Sequence, residues 1–438
     1  PDFVWQSTGG SDEFEPKLSL IPVIYGTLKA TFYALLFGAP LALAAAIFTS
    51  EFLHPKVKTK VKPAIELMAS LPSVVLGFLA GLVFAEYVED HAIQVMAALV
   101  TVPLTLLAGA FIWQMIPIKR SLVLDQLGSR DMDGSGPLVA VKNRIARTIF
   151  HFGGIKMIMM AVALVLGVLA AFPAGTWFEA LLFGDSFARW LAGSHEVPVF
   201  GGAVGGWMIL TLPICAVGMV MFLGRVVHPW LRVQGRKLNR RQMAQLDLLK
   251  FILAIIVGVG AAFLLASGLS LLGFDPRGSY VDTYVQRNSL VVGFAMGFAI
   301  IPIIYTIAED ALSTVPEHLR SASLGSGATP WQTATRVVIP TAMSGMFSAL
   351  MIGLGRAVGE TMIVLMALGN TPIMDLNIFN GGRPLSANIA VELPEAVKGS
   401  THYRTLFLCG LVLFILTFFV NTVAEFVRQR FRKRAYQL

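Results

Sequence analysis

Long apolar runs alternate with short polar stretches along this chain. Nine runs approach or exceed the roughly 20 residues that a helix needs to cross a bilayer. They cover about 22–49, 67–85, 92–118, 157–178, 199–224, 251–274, 288–308, 337–374 and 405–427. None shows the period-two alternation of a barrel strand, so spanning helices are predicted throughout. The polar stretches divide by charge. Residues 54–66, 119–156, 225–250, 309–336 and 428–438 carry four, seven, seven, two and five basic residues, 25 of the chain's 34. They alternate strictly with stretches poor in Lys and Arg, which predicts a cytoplasmic C-terminal tail and an outer N-terminal arm. That arm is acidic through Asp2, Asp12, Glu13 and Glu15. An outer N-terminus with no signal peptide or initiator Met leads us to expect an upstream membrane segment before residue 1.

Composition narrows the class. Of 438 residues, 55% are hydrophobic and 14% charged, against about 25% charged in a soluble domain. The net charge of +8 is accounted for by the basic loops, so it does not point to nucleic acid. The lipid bilayer is the partner that this composition implies. Cys215 and Cys409 lie in apolar runs and read as packing residues. The seven histidines are scattered without metal-ligand spacing, so no metal site is expected. No GxxxxGK[ST] motif occurs, so the chain is not expected to bind ATP itself. No cofactor and no catalytic residue are assigned to it. Residues 125–147 read as a glycine-bearing linker. Residues 228–248 read as a basic helical stretch, either lying along the lipid surface or forming a solvated linker.

One pair of charges breaks the apolar pattern. Arg356 and Glu360 are the only Asp, Glu, Lys or Arg residues from Val337 to Met374. A charge at the bilayer centre costs about 2.5–3.5 kcal/mol on insertion scales, so such residues face a protein interior or a watery path. Four residues apart, they are expected on one helix face. Arg356 lies 16 residues beyond Pro340, or about 24 Å along a helix. A self-neutralising bridge is one reading, although Arg before Glu is the weaker order. The other is an oxyanion site, for which a guanidinium is well suited. Ser73, directly after Pro72, and Thr361 are weaker candidates for the same path, and Asn370 shares the segment of the pair.

A second feature lies at 313–340. Thr314-Val-Pro-Glu317 and Thr329-Pro-Trp-Gln332 both have the spacing of a helix-starting capping box, the second with Pro330 at the first helical position. Gly325 and Gly327 between them suit a tight turn. This predicts two short helices bent around Gly327, either an ordinary interhelical loop or an element made to dock into a partner.

The stretch Arg320-Ser-Ala-Ser-Leu-Gly-Ser-Gly327, ending at Ile339-Pro340, resembles the EAA loop of ABC importer permeases. Ala322, Gly327, Ile339 and Pro340 fit the family pattern. Ser321 stands where the family has Glu, and Ser323 where it has the second Ala. Gly26-Thr-Leu, Pro40-Leu-Ala-Leu-Ala-Ala-Ala-Ile47, Leu71-Pro-Ser-Val-Val-Leu-Gly77 and Gly355-Arg-Ala-Val-Gly-Glu-Thr-Met362 together resemble the permeases of phosphate-specific importers of the Pst type. The resemblance covers about 20–85 and 288–430. It implies an all-α polytopic membrane protein with a type I ABC importer permease core plus additional transmembrane helices, in a bacterial plasma (inner) membrane.

The expected organisation has five parts. Residues 1–21 form the outer arm and 22–85 the first part of the core. Residues 86–287 are an insertion of four spans with basic linkers. Residues 288–427 complete the core, with the coupling loop at 313–340, and 428–438 are the basic tail. The resemblance implies that Arg320, Ser321, Ala322, Gly327, Ala328 and Pro340 belong to the loop that meets an ATPase subunit. It places the phosphate path at Arg356 and Glu360. Phosphate at neutral pH retains a proton to donate to Glu360 and sulfate does not, so the carboxylate would discriminate between them. The implied partners are a second, related permease chain, a dimer of ATP-binding subunits that hold ATP and Mg, and an external phosphate-binding protein. Two other readings stay open: a permease for another oxyanion, and a membrane signalling subunit that reports phosphate supply without carrying it.

Overall fold

The computed structural model describes residues 3–7, 15–53, 55–115, 154–184, 187–191, 203–229, 240–277, 280–281 and 283–435. Strands β1 (Trp5–Gln6) and β2 (Lys17–Leu18) pair antiparallel ahead of the first helix. Next come α1 (Ile21–Glu51), α2 (Pro55–Met68) and α3 (Ser73–Leu79), which continues through a π turn at Ala80–Phe84 into α4 (Ala85–Asp90). Then follow α5 (Ala92–Met115), α6 (Gly154–Phe183), α7 (Phe187–Leu191), α8 (Val204–Phe222) and α9 (Arg240–Leu271). The last part holds α10 (Ser289–Ser313), α11 (Glu317–Gly325), α12 (Pro330–Thr333) and α13 (Ile339–Gly359), the last two joined by a π turn at Ala334–Val338. It closes with α14 (Met362–Ala367), α15 (Leu385–Glu392) and α16 (Thr401–Ala435).

Among the described residues, eight helices are long and apolar enough to cross a membrane. A ninth span arises if Val57–Met68 and Ser73–Asp90, bent by 81°, count as one. The chain is therefore an all-α polytopic membrane protein. Two predicted runs are not straight spans. The run at 67–85 begins with a bend, because Pro72 takes an extended ψ of 128° at the start of α3. The run at 337–374 ends its first helix at Gly359. The linker predicted at 125–147 lies outside the described residues. Of the basic stretch 228–248, residues 240–248 form the first turns of α9 and 230–239 lie outside.

The chain divides into two compact units, one of residues 1–90 with 283–438 and one of residues 91–282. These limits stand at 90/91 and 282/283, against 85/86 and 287/288 in the sequence reading. In the first unit, α1 packs along α10, α10 along α13, and α13 along α16. The α1–α10 contact is close because small residues face each other. A Cβ on Gly38 would stand 2.9 Å from the Gly297 carbonyl oxygen. Phe37 and Phe294 stack beside it with ring centroids 4.4 Å apart. Among the described residues, seven of the twelve largest fully buried side chains, Tyr305, Ile300, Ile304 and Leu312 among them, belong to α10, which makes it the centre of this unit. By contrast, Phe414, Phe418, Phe419 and Phe426 of α16 are exposed, as suits a lipid-facing surface.

At one end of this unit, Trp5 of β1 joins a buried cluster with Val23, Leu385, Leu406 and Cys409. In the second unit, α5 packs on α6 and α8 on α9. Thr101 of α5 donates to the Gly167 carbonyl of α6 at 2.8 Å, and Thr211 of α8 to the Ala262 carbonyl of α9 at 3.1 Å. Such hydroxyl-to-carbonyl bonds join helices where lipid offers no competing partner.

Candidate functional site

Helix α13 carries Arg356 in its last turn and ends one residue before Glu360. Three glycines, Gly353, Gly355 and Gly359, weaken these last turns, since each raises the cost of helical backbone. Glu360 has φ −69° and ψ 131°, an extended conformation, and α14 starts at Met362. The expectation of two charges on one continuous helix face is therefore corrected. Arg356 stands in the helix and Glu360 in the break that ends it, and no ion pair joins them among the described residues. Arg356 is exposed and Glu360 half-buried. Neither side chain makes a hydrogen bond with a described residue.

The backbone at the break is held by two hydroxyls. Thr361 Oγ1 donates to the Gly359 carbonyl at 3.4 Å, and Ser386 Oγ of α15 donates to the Glu360 carbonyl at 2.9 Å. Ser386 was not singled out in the sequence. A hydroxyl two residues after Pro384 gives no signal of its own, and its role depends on α15 lying beside the break.

Helix α3 lies beside α14 and runs in the same direction. A Cβ on Gly77 would stand 2.8 Å from the Met362 carbonyl oxygen, and one on Gly81 2.5 Å from that of Met366. Gly77 and Gly81, four residues apart, thus bring the two backbones into close contact. Ser73, half-buried at the start of α3, stands at the same end of this pair as Glu360 and Thr361. Beyond α14, Gly369 and Asn370 take left-handed φ values of 80° and 55°, which turn the chain back. The buried Asn370 side-chain oxygen has no partner in this turn.

The loop at 313–340 folds largely as its sequence suggests, with two corrections. At Thr329–Gln332 the capping box forms, Thr329 Oγ1 accepting from the Gln332 N–H and Gln332 Oε1 from the Thr329 N–H. At Thr314–Glu317 it does not form. Thr314 closes α10 and donates its hydroxyl to the Ala311 carbonyl at 2.8 Å, and α11 starts after Pro316. The proline disfavours helical backbone at Val315, which a cap at Thr314 would require. Gly327 makes the turn with φ 86°. Ser323 and Thr333 share a hydrogen bond of 2.9 Å across it. Helix α12 is not a separate short helix, because it runs on through the π turn into α13.

The coupling-loop candidates fall into two groups. Ser321, Ala322 and Gly327 are exposed, as is Pro340, while Ala328 is half-buried. Arg320 instead turns inward. Its guanidinium donates to Glu51 at 3.0 Å, to the Leu312 carbonyl at 2.7 Å and to the Val315 carbonyl at 3.0 Å. This ties the loop to the end of α1. Nearby, the carboxylate of Glu309 meets Lys58 and, at 2.7 Å, Lys62, and accepts from Ser313 at 2.7 Å. Lys62 also reaches Asp310 at 2.6 Å. These pairs fasten α2 to α10.

Two further charged clusters were not assigned from the sequence. Lys29, a lone lysine in the first apolar run, is buried and donates to Asp375 at 2.8 Å and to the Gly381 carbonyl at 3.1 Å. At the same end of the unit, Glu392 accepts from Trp5 at 3.0 Å and Ser7 at 2.9 Å. It also pairs with Arg383 and His402, each at 2.7 Å. Burial pushes the Glu392 carboxyl up, but these hydrogen bonds and the Arg383 charge outweigh it and hold the group below the usual glutamate range. No group of three or more His, Cys, Asp or Glu residues able to hold a metal occurs among the described residues.

Residues 205–434 match the family described as the binding-protein-dependent transport system inner membrane component. The match begins inside the second unit and runs into the last turn of α16, so it extends beyond the stretches 20–85 and 288–430 that carry the resemblance. The chain is similar to the "Phosphate transport system permease protein PstC" of Mesorhizobium japonicum, with 29% identity over 316 residues, 67% of this chain and 94% of that protein. The protein of the same description from Xylella fastidiosa (strain 9a5c) is 30% identical over 251 residues, 54% of this chain and 74% of that one. "Phosphate transport system permease protein PstC 1" of Mycobacterium tuberculosis is 27% identical over 290 residues, 62% and 85%. No solved structure matches. The chain belongs to the family of binding-protein-dependent transport system inner membrane components: it is a multi-pass permease of an ABC transporter.

Proposed function

We propose that this permease is the phosphate-conducting subunit of an ATP-driven importer, with Arg356 and Glu360 in the path. The observation that carries the reading is the break between α13 and α14. It leaves a guanidinium and a carboxylate in a spanning region without partners among the described residues. Unpaired charges at such depth need a protein or aqueous counterpart. A guanidinium is suited to a phosphate oxyanion, and a carboxylate accepts from the proton that phosphate keeps at neutral pH. The PstC relatives support phosphate as the substrate. Thr361 and Ser73 flank the same end of the α3–α14 pair and would line the path with hydroxyls.

The rest of the assembly follows the family. A second permease chain faces the exposed Arg356 side. The exposed face of α11, with Ser321 and Ala322, seats in an ATPase subunit that binds ATP and Mg, and an external binding protein delivers phosphate. In this orientation the C-terminal tail is cytoplasmic. ATP-driven closure of the ATPase pair moves α11, the path opens outward, phosphate passes Arg356 and Glu360, and hydrolysis resets the inward state. The chain performs no covalent chemistry.

Glu360→Gln tests the discriminating role. In the assembled complex it is expected to weaken phosphate uptake and to let sulfate compete. Unchanged uptake together with unchanged sulfate exclusion would sink the assignment of Glu360.

A further inference from the structure

Ser386 is nearly buried and stands in the first turn of α15. Its hydroxyl donates to the carbonyl oxygen of Glu360 at 2.9 Å. That carbonyl belongs to the one residue between α13 and α14 whose ψ, 131°, is fully extended. We propose that Ser386 is a positioning residue that holds this break open and so keeps Glu360 from pairing with Arg356. The inference rests on the reading of Arg356 and Glu360 as the phosphate site.

The alternative conformation is easy to specify. Were Glu360 and Thr361 helical, α13 would run on into α14. Glu360 would then lie one turn above Arg356 on the same face, within reach of an i,i+4 ion pair. That pair would neutralise both charges, and phosphate would have to displace a carboxylate to reach the guanidinium. The observed backbone avoids this state, and a carbonyl turned out of a helix within the membrane needs a donor. Thr361 supplies one to Gly359, from within the break itself. Ser386 supplies the other from a separate element, so it can set where the break lies.

The donor is held in place independently of the site. The Leu385 N–H, directly before Ser386, donates to Thr27 Oγ1 of α1 at 3.0 Å, and Thr27 in turn donates to the Val23 carbonyl at 2.9 Å. The Leu385 side chain is fully buried in the cluster with Val23, Trp5, Leu406 and Cys409. A Cβ on Gly26 would come 2.5 Å from the Arg383 carbonyl oxygen, so α1 lies directly against the approach to α15. Helix α1 therefore fixes α15, and α15 fixes Glu360. A site pre-set by groups that do not touch the ligand binds without first reorganising.

The test is a double-mutant cycle in the fully assembled importer, reading phosphate uptake in vesicles and the amount of complex formed. Ser386→Ala is expected to raise KM about fivefold or more, the equivalent of one hydrogen bond, at unchanged assembly. Ser386→Thr, which keeps the hydroxyl, should restore the wild-type KM. In the Ser386→Ala background, Glu360→Gln removes the charge that would capture Arg356. The double variant should therefore bind phosphate no worse than Glu360→Gln alone. Additive losses, or a Ser386→Ala KM equal to wild type, would overturn the proposal. If Ser386→Ala does not assemble, Ser386→Cys replaces it in the cycle, with the same two outcomes. Failure of the phosphate reading looks different, because Glu360→Gln alone would then change neither uptake nor selectivity.

Discussion

Lys29 stands in the third turn of α1 with its side chain fully removed from solvent, 2.8 Å from an Asp375 carboxylate that retains 22% exposure. Asp375 also accepts from Asn380 at 2.6 Å, and the Lys29 ammonium reaches the Gly381 carbonyl. The loop after α14 is thus fastened to α1 by a charge whose one ion-pair partner among the described residues is Asp375. Removing one partner of a buried pair costs about 3–5 kcal/mol, whereas replacing both can be neutral. Asp375→Ala is expected at the low end of that range because Asp375 keeps some solvent. Lys29→Met combined with Asp375→Ala should recover most of the loss. Thermal unfolding of the purified protein measures both, and a double variant no more stable than Asp375→Ala would contradict the pairing. The lysine was visible in the sequence as a charge within an apolar run. Its partner was not, since 346 residues separate them and nothing local relates the two.

At the scale of elements, the two glycines of α3 and its π turn make the sharpest prediction. An added Cβ on Gly81 would meet a backbone oxygen at 2.5 Å, whereas one on Gly218 of α8 would meet nothing within 4 Å. Gly81→Ala must push α3 and α14 apart and should destabilise by about 1–3 kcal/mol. Gly218→Ala should be neutral or stabilise by up to about 1 kcal/mol through helix propensity. Comparing the unfolding midpoints of the two variants checks this, and equal effects would contradict the close packing. The same scale explains what sequence reasoning reached. Spans were legible because about 20 consecutive apolar residues leave the backbone no alternative to a helix. The capping box at Thr329 was legible because Pro330 favours a helix start there, and the one at Thr314 misled because Pro316 forbids it. The break at Glu360 was hidden. Gly-Glu-Thr within an apolar run carries no proline, and the donor that stabilises the extended residue comes from α15. For Arg356 and Glu360, their place within an apolar run was readable from the sequence and their separation was not.

Across the first unit, a continuous series of contacts joins the exposed loop to the break at Glu360. Arg320 ties α11 to Glu51 at the end of α1, and Glu309 ties α2 to α10 through Lys58 and Lys62. Helix α2 leads through the 81° bend into α3, and α3 lies backbone to backbone against α14, next to Glu360. These contacts form one contiguous series from α11 to the break. No described residue of the second unit, helices α5 to α9, takes part in this series. The proposed function requires that an oxyanion pass Arg356 under the drive of ATP. The direct measurement is uptake of radiolabelled phosphate by vesicles carrying the assembled complex, with and without ATP, for the intact chain and for Arg356→Gln. ATP-dependent uptake that is lost in Arg356→Gln, at equal assembly, is the predicted result. Full assembly with no phosphate uptake in either form, or uptake untouched by the substitution, would contradict it.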